Sequence, residues 1–135
     1  MWQDYFLEDI DNVVFNILNY SDSKKFAFYG DLGAGKTTLI SSLCSKIKVL
    51  DKVVSPTFTF INEYLTKDNK KVYHFDFYRM EKKEELYNIG CLDYFYSDYF
   101  CFVEWPEKIG DFLPSGFVKI YLKLNGDARK IKIIK

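Results

Sequence analysis

Several things are scarce in this chain of 135 residues, and each shortage excludes a class of protein. Cysteine is rare: three residues, Cys44, Cys91 and Cys101, with no CxxC pair and no zinc spacing. Their odd number excludes a complete disulfide framework. Cys44 and Cys101 stand in apolar stretches, so reduced core thiols are expected. Net charge is absent, because 19 Lys and Arg balance 19 Asp and Glu. That is not the footprint of a protein that grips nucleic acid by overall electrostatics, although a local basic face is compatible with it. No apolar run approaches the roughly 20 residues needed to cross a bilayer. The start, MWQDYFLEDIDN, is acidic and lacks the basic-then-apolar order of a signal peptide. A cytoplasmic protein with no membrane role is expected.

Apolar residues are plentiful, at 48% of the chain, which is enough for one cored domain over residues 1–135. Ile10, Val13, Val14, Ile17 and Leu18 recur at helical spacing and predict a helix over about 9–19, with Asp9 or Asp11 near its start. FAFY, residues 26–29, is apolar on both faces, as in a central parallel strand. GDLGAG must be a loop. Leu39, Ile40, Leu43 and Ile47 predict a second helix of about three turns. TFTFINEYL and VYHFDFY flank the polar turn TKDNK and read as an antiparallel hairpin. EKKEEL starts a short exposed helix. YFCFVEW is a buried strand, and Pro106 ends it and opens a helical turn. Val118, Ile120, Leu122 and Leu124 alternate with polar residues up to Asn125-Gly126, a hairpin signal. Lysines on those last strands are expected to discourage edge-to-edge pairing. The order of elements predicts an α/β fold with a mixed, mainly central parallel β-sheet flanked by helices.

The loop from Gly30 to Thr37, GDLGAGKT, matches G-x-x-x-x-G-K-[ST] between an apolar strand and an amphipathic helix. That context is what a phosphate-binding loop needs. Glycines permit turns that aim backbone N–H groups inward, and the helix N-terminus adds positive potential. Gly33, Ala34, Gly35, Lys36, Thr37 and Thr38 are the expected nucleotide-binding residues. Lys36 bridges the β- and γ-phosphates, and the Thr37 hydroxyl ligates magnesium. Thr38 serves either helix packing or a phosphate contact. No N/T-K-x-D motif for guanine is present, so ATP is expected. Phosphoryl-transfer kinases of this type use several lid arginines, and this chain has two, Arg79 and Arg129. A small-molecule kinase is therefore the alternative reading.

Two carboxylates are candidates for the chemistry. Glu104 ends YFCFV, where the tip of a strand in a doubly wound sheet lies beside the phosphate loop. It is expected to hold magnesium. Asp76 shares a strand face with Val72, His74 and Tyr78, opposite Tyr73, Phe75 and Phe77. It either orients water, completes the metal's surroundings or pairs with Arg79. His74 reads as a strand histidine rather than a base. Ser55, Thr57 and Thr59, in SPTFTF, either close over a γ-phosphate or form a proline turn into an edge strand.

GDLGAGKTT, SPTFTF, YHFDFYR, EEL, CFVEWPEK and LP, in this order, resemble the TsaE family, also called YjeE. That family is the ATPase component of the bacterial machinery that makes threonylcarbamoyladenosine in tRNA. The resemblance spans Gly30 to Pro114. It implies a P-loop fold that binds ATP and magnesium, with Lys36 as the loop lysine and Thr37 and Glu104 at the magnesium positions. It implies Asp76 as the aspartate required for hydrolysis, Thr57 and Thr59 in a switch-like segment, and Trp105 beside the metal acid. Lys36, Asp76 and Glu104 are thus the expected catalytic set. It also implies action with a TsaB–TsaD pair, with tRNA engaged indirectly through that complex. Where the family often has Gly-Arg, this chain reads Gly126-Asp127-Ala128-Arg129, so no nucleotide role is expected for Arg129.

Overall fold

The computed structural model describes residues 1–57 and 59–135. Seven strands form one sheet: β1 (Gln3–Tyr5), β2 (Lys25–Tyr29), β3 (Ile61–Leu65), β4 (Lys71–Asp76), β5 (Phe100–Glu104), β6 (Val118–Asn125) and β7 (Ala128–Ile134). Their spatial order is β1-β7-β6-β2-β5-β4-β3. The four inner strands β6, β2, β5 and β4 run parallel, and the outer pairings are antiparallel. The sheet is thus mixed around a parallel centre. The helices are α1 (Ile10–Leu18), α2 (Lys36–Lys46), α3 (Glu85–Ile89) and α4 (Cys91–Phe95). No helix is long and apolar enough to cross a membrane among the described residues.

Two cores form because the inner strands are apolar on both faces. On one face, α1 buries Val13, Val14 and Ile17, and α2 buries Leu39, Ile40, Leu43 and Cys44, against Phe26, Phe28, Phe102, Val118 and Ile120. On the other, α3, α4 and the chain after β5 cover Ala27, Phe75, Cys101 and Val103. Rings interlock there: Phe95 lies 5.1 Å from Phe75 and edge-on to Phe117 at 5.5 Å. All three cysteines are buried and free, including Cys91.

Most expected elements are found, with shifted ends. The strand of the first hairpin begins only at Ile61, so Thr57, Thr59 and Phe60 precede it, and Phe58 lies outside the described residues. β1 and α4 had no forecast. In the last hairpin Asn125 pairs with Ala128, so the two turn residues are Gly126 and Asp127. The lysine-rich strands β6 and β7 are interior, and the sheet edges are β1 and β3. Lys119, Lys123 and Lys130 therefore do not guard an edge, which corrects the expectation placed on them, while Lys132 stands on the part of β7 beyond its pairing with β1.

The register sets up the site. Glu104 is paired with Phe28 on one side and Asp76 on the other. The carboxyl ends of β2, β5 and β4 thus finish level, at the end of the sheet where α2 begins.

Candidate functional site

The loop between β2 and α2 is bent by glycine. Gly30 approaches so closely that a Cβ there would lie 2.7 Å from the Leu122 carbonyl oxygen. Gly35 takes φ +100°, a conformation that L side chains rarely adopt, and it starts α2 with no side-chain cap. The first-turn N–H groups of α2 therefore have no capping side chain and no helical partner, and they point into the space above the loop. Lys36 opens the helix. Its Nζ donates to the Gly30 carbonyl and lies 3.6 Å from the centre of the Trp105 ring. Burial pushes its ammonium below the usual lysine range, and Glu104, Glu107, Asp76 and Asp31 act in opposition.

Glu104 is 2% exposed, and a buried carboxylate needs partners. It has three. Thr37 Oγ1 donates to Oε1 at 2.9 Å. Ser55 Oγ lies 3.3 Å from Oε2 and 2.9 Å from Thr37 Oγ1. His74 Nε2 lies 2.7 Å from Oε2. The Tyr64 hydroxyl donates to the Val54 carbonyl at 2.9 Å and lies 2.9 Å from His74 Nδ1. That carbonyl already accepts Asn62 Nδ2–H at 2.9 Å, and the Val54 N–H donates to the Tyr64 oxygen at 3.2 Å. A chain of hydrogen bonds thus runs from the Val54 backbone through Tyr64 and His74 to the carboxylate.

Asp76 ends β4 beside this cluster and is half-buried. Its Oδ1 accepts the Tyr78 N–H at 2.9 Å. Burial raises its carboxyl above the usual aspartate value; the Tyr78 N–H lowers it, and the neighbouring Glu104 charge raises it further. Trp105 takes φ +56°, unusual for an aromatic residue, and Pro106 follows in a 3-10 turn. This bend sets the indole over Lys36 and 4.9 Å from the Tyr78 ring.

These groups border a cleft of about 470 Å³. Of the expected residues, Gly33, Gly35, Lys36, Thr37, Thr38, Asp76 and Glu104 line it, together with Ser55, Thr57 and Trp105. Ala34 does not: its side chain is in the core, and its N–H donates to the Asp31 carbonyl at 3.1 Å. Thr59 does not line it either, and its hydroxyl donates to the Ile61 carbonyl. Both arginines border the cleft. Arg129 reaches it from β7, with Nε 3.2 Å from where a Gly35 Cβ would stand. That Nε is buried without a hydrogen-bond partner among the described residues. Sequence reasoning missed Arg129 and the Tyr64–His74 chain, because both depend on which strands lie side by side.

The donor set suits hard, oxygen-seeking ligands. The Thr37 hydroxyl and Glu104 carboxylate meet at one point, with the Ser55 hydroxyl beside them, and magnesium binds such oxygens while keeping several waters. No cluster of three His, Cys, Asp or Glu forms an all-protein metal cage among the described residues. Lys36, the start of α2 and the orphaned Arg129 Nε converge on the same cleft, and together they suit an anion.

Comparison with known proteins agrees in family. The model of the family described as "Threonylcarbamoyl adenosine biosynthesis protein TsaE" matches residues 7–131. A Haemophilus influenzae relative named tRNA threonylcarbamoyladenosine biosynthesis protein TsaE is 43% identical over 105 residues, 78% of this chain and 66% of its own length. The Bacillus subtilis relative of that name is 41% identical over 98 residues, 73% of this chain and 60% of its own length. This chain thus spans less than two thirds of either relative. Among solved structures, Bacillus subtilis YdiB superposes with a TM-score of 0.71 at 27% identity, over 98% of this chain and 83% of that one.

Proposed function

The chain belongs to the TsaE family, and from that premise we propose that it binds and hydrolyses ATP with magnesium, as an accessory subunit in forming threonylcarbamoyladenosine in tRNA. The observation that carries the proposal is the Thr37–Glu104 contact of 2.9 Å at the mouth of a glycine loop and helix N-terminus. On this reading residues 1–135 are one P-loop ATPase domain, working in the cytoplasm with a TsaB–TsaD pair that engages the tRNA.

Thr37 and Glu104 would hold magnesium, whose charge offsets that of the β- and γ-phosphates. Lys36 releases the neutral Gly30 carbonyl and takes a phosphate oxygen, a stronger charge-assisted partner. The loop and first-turn N–H groups hold the remaining phosphate oxygens as charge builds in the transition state. His74 and Tyr64 keep the Glu104 carboxylate from turning. Asp76 orients the attacking water. The water oxygen bonds to the γ-phosphorus and gives up a proton by way of Asp76 to solvent, the bond to the bridging oxygen breaks, and ADP and phosphate leave. Trp105 shields Lys36 from solvent on one side.

The test is a single-turnover and steady-state ATP hydrolysis assay on wild type and Asp76→Asn, with and without the TsaB–TsaD pair. The variant is expected to bind ATP with near-normal affinity and to lose at least about a hundredfold in cleavage, within the range of a lost general base. Full turnover by the variant would remove Asp76 from the mechanism. Both arginines border the cleft, which favours a kinase as the second reading. A phosphorylated small molecule formed from ATP without protein partners would establish that instead.

A further inference from the structure

The face of the sheet opposite α1 is covered by α3 and α4 only over β2, β5 and β4. Beyond β2 it is open. Strand register fixes what it displays. Ala27 and Tyr29 of β2 are on that face, and they pair with Lys119 and Tyr121 of β6. Tyr121 pairs with Lys132 of β7, and Lys123 with Lys130. Lys130 pairs in turn with Asp4 of β1. Four lysines therefore share one face of two neighbouring strands, β6 and β7, while Ile120, Leu122 and Ile131 point to the core behind them.

Aromatic rings are set among these charges. Lys123 Nζ lies 4.2 Å and Lys132 Nζ 5.1 Å from the Trp2 ring centre. Lys132 also stands 5.1 Å from Tyr121, which stacks on Tyr29 at 4.7 Å. From these strands Asp4 is the one acid on the face among the described residues, and it pairs with Lys130 at 3.2 Å. That leaves Lys119, Lys123 and Lys132 without a carboxylate partner in the ion pairs of the described residues. Lys119 and Lys123 stand four residues apart on one strand, about 13 Å. The chain as a whole has zero net charge, so this concentration on one side is local.

We propose that this face of β6, β7 and β1 binds RNA, with Lys119, Lys123 and Lys132 on backbone phosphates and Trp2 offering a flat surface to a base. Lysines interleaved with aromatics suit a polyanion whose bases can stack, and the family's names place RNA in the same process. The identity of the RNA rests on the tRNA-modification reading. The face itself does not depend on ATP hydrolysis, since none of its residues lines the cleft.

The test is fluorescence anisotropy of an end-labelled, unmodified tRNA transcript titrated with the full chain from low to physiological salt. The wild type is expected to bind with a slope of log affinity against log salt of about −2 to −3, as for three phosphate contacts. The triple variant Lys119→Gln/Lys123→Gln/Lys132→Gln is expected to lose at least tenfold in affinity at low salt, and most of that slope, with ATP hydrolysis unchanged. Circular dichroism and ATP hydrolysis report on its fold, and Lys123→Gln alone serves if the triple variant does not fold. Equal tRNA binding by wild type and variant, or no binding by the wild type at low salt, overturns the proposal. So does competition by poly-glutamate as effective as by RNA, which would make the face a site for an acidic protein. Absence of ATP hydrolysis with tRNA binding intact would sink the ATPase reading and leave this one standing.

Discussion

Replacing Tyr64 by phenylalanine deletes one oxygen atom and tests the hydrogen-bond chain behind Glu104. The Tyr64 ring is 4% exposed and His74 is fully buried, so no bulk water reaches the histidine left behind. One buried atom loses its partner, His74 Nδ1 at 2.9 Å, while the Val54 N–H, 3.2 Å from the phenol oxygen, belongs to an exposed residue and can turn to water. The Val54 carbonyl keeps Asn62. A buried group left unsatisfied costs about 1–3 kcal/mol, so the variant should lose roughly that much stability. For a chain of this length that is a fall in Tm of about 4–11 °C. Urea denaturation with an unchanged slope, checked by thermal melting, measures it. The same substitution frees His74 to rotate and loosens Val54 next to Ser55. Apparent magnesium affinity in the ATP assay should therefore fall about tenfold, as when the partner of a metal ligand is lost. A stability change under about 0.5 kcal/mol would refute the accounting, because the phenol would then be making no net bonds to these groups. Lost stability with unchanged magnesium dependence would refute the coupling to Glu104 alone.

Two other expectations follow from the glycine loop and the buried thiols. Gly35→Ala places a Cβ at φ +100° and 3.2 Å from Arg129 Nε, so it should cost about 1–3 kcal/mol in backbone strain and at least tenfold in ATP affinity, read by calorimetric titration. Burial raises the thiols of Cys44 and Cys91 to about 12 and that of Cys101 to about 11, against an ordinary value of 9.0. The folded state then holds these protons more tightly than the unfolded state. That stabilisation is complete below about pH 9 and is lost as pH rises toward 12. Folding free energy should decline over that window, and a thiol reagent at pH 8 should react with the three cysteines only after unfolding. Ready reaction of the native protein would contradict it.

The parts legible in the sequence are those written in local period. Val13, Val14 and Ile17 mark α1 without any neighbour, and the alternation of His74 and Asp76 against Tyr73 and Phe75 assigns both faces of β4. The loop from Gly30 to Thr37 is visible for the same reason, since its spacing is contained in eight residues. The parts that stayed hidden are set by register between distant segments. β1 is three residues long and exists because β7 offers an edge to pair with. Arg129 reaches the cleft because β7 lies beside β6 and β6 beside β2, an order that no local pattern encodes.

Glu104 shows how the two kinds of information combine. Its place at the end of an apolar run predicts a strand-tip carboxylate. What holds it there is 30 residues away in His74, paired by the parallel register that sets His74 beside Phe102 and Asp76 beside Glu104. That same register gives the two carboxylates different surroundings, which suit the two roles proposed for them. Glu104 is buried under three side-chain hydrogen bonds and fixed in direction, as a metal ligand must be. Asp76 is half-exposed, accepts a backbone N–H from Tyr78, and lines the cleft. Exchanging their environments would give a mobile ligand and a buried base with no water to orient. On the proposed mechanism, the division of labour between metal binding and water orientation follows from which strand end is covered, and β5, between β2 and β4, is the covered one.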